Sequence, residues 1–231
     1  MLRIAGLAAQ PGLVHGFSTM ALGDMRAGPN GRAQTAPRLA FAEALGLEPS
    51  RLVIAGAVHG AEIARVDEPA GAVPGVDVLI TDQPGLALAA TFADCYPVVL
   101  YDPQRRALAL AHAGWRGSLA QVAARAGHAL CREYGSQPET LIAGLGPGIC
   151  GHCYEVSEEI ARRFDRRHSF PSGRGRFHVD LAAVNRNQLL AIGVPHDSLH
   201  EHGACTREHP ELPSHRRSPD GARFLCIAAI T

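Results

Sequence analysis

Apolar residues come along this chain in short runs, and two periods sort them. Unbroken runs of about four to eight, bounded by Gly, Pro or Asp, read as buried strands, whereas apolar residues three and four apart read as helix faces. On that basis Leu52 to His59 and Ile63 to Asp67 predict strands joined by a tight turn at Gly60. Val76 to Thr81, Leu86 to Phe92, Val98 to Tyr101 and Ala107 to Ala111 predict further strands, with Asp102-Pro103 turning the chain between the last two. Leu141 to Leu145 runs into a Gly/Pro turn, and Phe224 to Ile230 closes the chain as a buried strand. Leu119, Val122, Ala123, Ala126 and Leu130 recur at helical spacing and predict a helix over 119–134. Ser118 with Gln121 matches a capping box at its start, and Gly135 ends it. Pro37 to Leu47 predicts a short helix ending at Gly46. Ser157 caps a helix expected to reach about Arg167, and Asp180 caps one expected to reach Ile192, closed by Gly193. Gly23 to Thr35 and Arg163 to Arg176 read as loops.

Strands outnumber helices and often follow one another directly. That order predicts an α+β fold, a single domain over 1–231 with mixed β-sheets flanked by helices, rather than a regular βαβ repeat. No internal repeat or linker divides it.

Composition narrows the function classes. Hydrophobic residues make up 46% of the 231 and the formal net charge is zero, which predicts a globular chain without a general nucleic-acid-binding surface. No apolar run approaches the roughly 18 residues of a membrane span, and the N-terminus lacks the pattern of a signal peptide, so a cytoplasmic protein is expected. All 22 basic residues are Arg. Chemistry that needs Lys, such as a Schiff base or a Walker A loop, is thereby excluded. Six Cys in a chain of this size do not predict a disulfide framework, and Cys131 and Cys226 read as buried small hydrophobes.

Three stretches place reactive side chains at the ends of apolar runs: Val58-His59-Gly60, Ala93-Asp94-Cys95-Tyr96-Pro97 and Ala111-His112-Ala113-Gly114-Trp115-Arg116-Gly117. A buried polar group without a partner is costly, so three at strand ends ask for a common explanation. Two imidazoles and one thiol suit a zinc ion with one coordination position open. The bland alternative is three unrelated core residues.

With these stretches the chain shares His15-Gly16-Phe17-Ser18-Thr19, Gly146-Pro147-Gly148-Ile149, Cys153-Tyr154-Glu155-Val156, Val179-Asp180-Leu181, Cys205-Thr206 and His215-Arg216-Arg217, in order, with the laccase-domain or YfiH family. It resembles that family over nearly its whole length. The resemblance implies a layered α/β sandwich and a zinc-dependent enzyme acting on purine nucleosides, with zinc on His59, Cys95 and His112. It implies phosphorolysis of adenosine, inosine or methylthioadenosine, and hydrolytic deamination of adenosine. Asp94 is then either the acid that moves the proton or a carboxylate that orients a ligand His. Arg116, Arg216 and Arg217 are candidates for holding phosphate, with Ser18 and Thr19 for phosphate or ribose. Trp115 is a candidate base-stacking ring. The partners implied are a nucleoside and phosphate, in a monomer or small homo-oligomer. The chain departs from the family where Met20 to Thr35 lacks a basic residue at Met20 and a Ser-Leu-Asn motif.

Other readings stay open. Copper fits two His and one Cys and gives the family its older, polyphenol-oxidising name, but the only Met residues are Met1, Met20 and Met25. A cysteine hydrolase would use Cys95 as nucleophile with His112 or His59 as base, in keeping with links of the family to peptidoglycan-precursor editing. A non-catalytic binding module is a third class. Cys150-Gly151-His152-Cys153 has dithiol redox spacing but lies far from the expected helix start, and a metal role is its alternative. Gly144 to Gly148 resembles a nucleotide loop only until Pro147 interrupts it.

Overall fold

The computed structural model describes residues 1–28, 35–219 and 221–231. Its strands are β1 (Leu13–Phe17), β2 (Leu52–Gly56), β3 (Ile63–Arg65), β4 (Gly71–Pro74), β5 (Val78–Thr81), β6 (Ala87–Phe92), β7 (Tyr96–Asp102), β8 (Ala107–Ala113), β9 (Ile142–Leu145), β10 (Glu155–Ser157), β11 (Ser169–Gly173), β12 (Arg176–Val179), β13 (Leu199–Glu201) and β14 (Phe224–Ile230). The α-helices are α1 (Ala5–Ala8), α2 (Ala36–Ala44), α3 (Trp115–Leu119), α4 (Val122–Tyr134), α5 (Glu158–Ala161) and α6 (Leu181–Ala191). The fold is α+β, as expected.

Two mixed sheets carry the molecule. One runs β1-β14-β6-β2-β4 and the other β13-β9-β7-β8-β5-β3; β10, β12 and β11 form a small third sheet. Alternation along the strands sorts the side chains into layers. Leu79, Val99, Leu108 and Leu110 of the six-stranded sheet meet Val53, Leu88, Phe92, Phe224 and Cys226 of the five-stranded sheet in one apolar cluster. The opposite residues of β7 and β8, among them Val98, Leu100, Ala109 and Ala111, pack on Ala123, Ala126 and Leu130 of α4 and Leu189 of α6. On the far side, Phe41 and Ala42 of α2 cover Ile54, Ala89 and Ile227. Both faces of both sheets are thus covered, which is why β7, β8 and β14 read as unbroken apolar runs.

Several expectations need correcting. The helix expected over 119–134 is two helices. Gln121 adopts φ +59°, in the left-handed region, and breaks the helix between α3 and α4. The capping box does not form. Ser118 Oγ instead accepts a hydrogen bond from Asn185 Nδ2 at 2.9 Å, tying α3 to α6. The helix after Ser157 is a single turn ending at Ala161, although Ser157 caps it as expected. The stretch read as a loop, 163–176, contains β11 and the start of the β12 hairpin. Arg174 and Gly175 both take positive φ there, the geometry that a tight hairpin turn requires. Cys226 is buried, but Cys131 is only half-buried. Of the segment Met20 to Thr35, residues 29–34 lie outside the described residues.

Candidate metal centre and its pocket

The chain passes between the two sheets repeatedly, and two of the three candidate ligands sit on such crossings. β2 belongs to the five-stranded sheet and β3 to the six-stranded sheet, with His59 on the connection. β6 and β7 are divided in the same way, with Cys95 on the connection. Both corners are tight. His59 has φ +63° and Asp94 φ +84°, conformations that L side chains adopt at a cost. His59 therefore lies three residues beyond the end of β2 rather than at a strand terminus. His112, inside β8, shares the face of Leu108 and Leu110 and so points into the gap between sheets, where its ring lies 5.1 Å from that of Phe92.

The three ligand atoms converge within 4.8 Å of one another. Cys95 Sγ is 3.9 Å from His59 Nδ1, and the His59 and His112 ring centroids are 4.9 Å apart. Gly114, at the N-terminus of α3, closes the back of the site. A Cβ there would stand 2.9 Å from Cys95 Sγ and 3.2 Å from His59 Nδ1.

Asp77, fully buried just before β5, organises the cluster and was not singled out from the sequence. Its Oδ1 lies 3.2 Å from His112 Nδ1, which directs Nε2 toward the other ligands. Its Oδ2 accepts the backbone N–H of Gly60 at 2.8 Å and of Val58 at 3.3 Å. One carboxylate thereby orients His112 and pins the loop that carries His59. A carboxylate holding the second nitrogen of a ligand His fixes its tautomer and raises its basicity. Burial would raise the Asp77 pKa, but the His112 bond and the two N–H donors outweigh it and hold the group below the usual range. Burial would likewise push the Cys95 thiol up; His112 and His59 reverse this and bring it to about 6. His112 is disfavoured as a cation by burial, yet the charges of Cys95 and Asp77 raise it to about 9. A thiol facing imidazoles, with one imidazole braced from behind, is a donor set that could hold a metal ion.

The cluster stands in the wall of a cavity of about 710 Å³, which is roomy enough for a ligand of drug size. Trp115, Tyr154 and Ile149 supply apolar surface to it, and Arg26, Arg38, Arg116, Arg216 and Arg223 supply cationic groups. The Arg116 guanidinium lies over the Trp115 ring at 4.4 Å and that of Arg216 over Tyr154 at 4.8 Å. Arg163 also faces Trp115, at 5.6 Å, so this ring carries cations rather than a bare face. Of the cavity's residues, Arg26, Arg38, Arg223 and Tyr154 had no assigned role in the sequence reading; Tyr154 and His215 fell inside recognised motifs.

The other candidates take different parts. Asp94 bonds to neither histidine. Its Oδ1 accepts from Thr206 Oγ1 and its Oδ2 from the Arg216 N–H, both at 2.7 Å, so it joins the Cys95 corner to the C-terminal loops. The carboxylate that meets a candidate ligand His is Asp77. Arg217 does not line the cavity. Its guanidinium donates to the carbonyls of Thr206, Arg207, His209 and Leu212, which clamps that loop. Ser18 and Thr19 are buried and also outside the cavity lining; Ser18 Oγ accepts the Leu225 N–H at 2.9 Å, extending the pairing of β1 with β14.

Residues 13–230 match the family model described as multi-copper polyphenol oxidoreductase laccase. The chain belongs to this laccase family. Among its relatives, a Streptomyces coelicolor protein named purine nucleoside phosphorylase is 39% identical over 197 residues, covering 83% of this chain and 80% of that one. A Deinococcus radiodurans protein of the same name is 35% identical, with 93% and 81% covered. A protein of an unknown prokaryotic organism named adenosine deaminase is 34% identical, with 78% and 75% covered. The crystal structure of YlmD from Geobacillus stearothermophilus superposes with a TM-score of 0.86 at 29% identity, covering 98% and 93% of the two chains. The fold of this laccase-family chain is therefore the YfiH-like fold, and its relatives are named for work on purine nucleosides. Among the described residues no helix is long and apolar enough to cross a membrane.

Proposed function

We propose that this chain is a zinc-dependent purine nucleoside enzyme that phosphorolyses adenosine, with inosine and methylthioadenosine as further substrates, and deaminates adenosine. The observation that carries the reading is the convergence of His59, Cys95 and His112 on an arginine-lined cavity, in a family whose members are named for both reactions. Zinc held there supplies a Lewis acid able to acidify water or polarise a substrate oxygen.

The chain's own residues do the rest. Asp77 keeps Nδ1 of His112 occupied so that Nε2 remains the donor atom. The Arg116 guanidinium has no hydrogen-bond partner among the described residues and reaches the cavity from the Trp115 ring. It is the first candidate for binding phosphate in a bidentate way. Arg216 is anchored to Glu155 O through Nη1 at 2.7 Å, and is the second. Tyr154 and Ile149 offer the apolar surface a purine needs. Asp94 holds Arg216 and the Cys95 corner in register.

Adenosine incubated with zinc-loaded protein, with and without phosphate, tests the reading by chromatography. Adenine that appears only with phosphate marks phosphorolysis; inosine without phosphate marks deamination. Intact adenosine in both tubes sinks it.

One observation favours a second reading. The lowered Cys95 thiol beside a raised His112 is also the charge pair of a cysteine hydrolase. Such an enzyme would keep its activity under chelation, and the zinc enzyme would lose it. A copper oxidase has less support. Met25, the Met nearest the role of a weak axial ligand in sequence, is buried in the separate cluster beneath α2.

A further inference from the structure

A second convergence of ligands lies outside the cavity. Cys150, Cys153, Cys205 and Glu208 bring three sulfurs and a carboxylate oxygen within 4.8 Å of one another. We propose that these four residues form a structural zinc site, independent of the His59–Cys95–His112 centre. This inference does not depend on the nucleoside reading.

The geometry supports it at three levels. The ligands come as two pairs with i, i+3 spacing, each on its own turn. Cys153 N–H and Tyr154 N–H both donate to Cys150 O at 3.0 Å, and Glu208 N–H and His209 N–H donate to Cys205 O at 3.2 and 2.9 Å. The turns are then held together by backbone. Gly148 and Cys205 form a parallel bridge, and Thr206 N–H donates to Gly148 O at 2.9 Å. The spacing suits a tetrahedron. With Zn–S of about 2.3 Å and Zn–O of about 2.1 Å, edges of roughly 3.8 Å between sulfurs and 3.6 Å between sulfur and oxygen are required. Cys153 Sγ already stands 3.4 Å from Glu208 Oε1.

A backbone donor and a cation stand beside the sulfurs. Cys150 N–H donates to Cys205 Sγ at 3.3 Å, and Arg207 Nη1 donates to Cys153 O at 3.2 Å, which places a cation on the rim. Cys205 is buried, so its sulfur is shielded from solvent. Four protein ligands leave no position open, which marks a structural rather than a catalytic site. Its position gives it a purpose. One turn leads into Ile149 and Tyr154 of the cavity wall, and the other carries Thr206, which donates to Asp94. A zinc ion here would staple the wall of the cavity to the corner that carries Cys95.

The test is zinc stoichiometry of the full chain after equilibration with zinc and removal of excess. Wild type should retain two ions, Cys95→Ala one, and Cys150→Ser/Cys153→Ser one. Cobalt substitution of Cys95→Ala checks the ligand set without relying on the second variant to fold, because the remaining ion should show an intense sulfur-to-metal charge-transfer band in the near ultraviolet. Cys95→Ala that retains no metal and shows no such band overturns the proposal. So does a titration of unreduced, unfolded wild type that finds four free thiols instead of six, since Cys150 and Cys153 would then be a disulfide.

Discussion

At the scale of single residues, Asp77 and Gly114 carry the strongest claims, because each acts on two ligands at once. Asp77→Asn preserves size but leaves one acceptor oxygen where three donors converge. We expect zinc affinity at the triad to fall by about 10- to 100-fold with the fold retained, the usual effect of losing the group behind a ligand His; chelator competition measures it. Gly114 has φ −86°, so alanine there meets no backbone strain, and any effect comes from its methyl group pressing on Cys95 and His59. Gly114→Ala should lose the triad zinc while metal-free variant and wild type melt within a few degrees of each other. A variant that binds zinc normally would show that the two ligands can shift aside. The triad itself was legible in the sequence because polar side chains interrupt apolar runs there. Asp77 was not, since an acid before a buried run also reads as an ordinary turn residue. Arg217 was misread for the converse reason: an Arg satisfied by four carbonyls looks in sequence like one awaiting phosphate.

Among the elements, β2, β3, β5 to β9, β14, α2 and α6 were legible, and β1, β4 and β10 to β13 were not. Phe224–Ile230 agrees to the residue, because a strand covered on both faces leaves an unbroken apolar run. The hairpin of β11 and β12 escaped because its strands are short and half-exposed, with Pro171 and Gly173 breaking any apolar run in β11; the positive φ at Arg174 and Gly175 declares it. The break at Gln121 is set by packing of α3 on α6 through Asn185, a contact between residues 67 apart in sequence. Local signals decide α6. Asp180 accepts the Ala183 N–H at 2.9 Å, capping the helix that packs on α3 and α4. Asp180→Ala should lower stability by about 1 kcal/mol, within a range of about 0.5–2. Denaturant unfolding measures this, and an unchanged midpoint would mean that packing alone holds the helix start.

On the scale of the whole molecule, the same choice that forms the site limits the fold in acid. Two histidines enter the gap between the sheets, each with one ring nitrogen held by a specific partner. His112 has Asp77, and His15 on β1 has the Ile4 N–H, which its Nε2 accepts at 2.9 Å. His15 is 1% exposed and shares its strand face with Leu13 and Phe17 of the inter-sheet core. It must be neutral to accept that bond. Burial first, then the charges of Arg3 and His202, lowers its pKa from 6.5 to about 4. The sign follows from proton linkage. Above pH 6.5 the folded and unfolded chains both hold His15 neutral, and it adds no pH dependence. Below 6.5 the unfolded chain takes up the proton first, so stability falls with pH until the folded histidine also titrates near 4. The loss accumulated over that window is on the order of 3 kcal/mol. His15→Gln keeps an acceptor for the Ile4 N–H but does not titrate. Urea unfolding at several pH values from 7 to 4 should therefore show a shallower decline for the variant than for wild type. Parallel curves would place the acid sensitivity in the carboxylates instead, with Asp77, the buried brace of the metal centre, the next group to test.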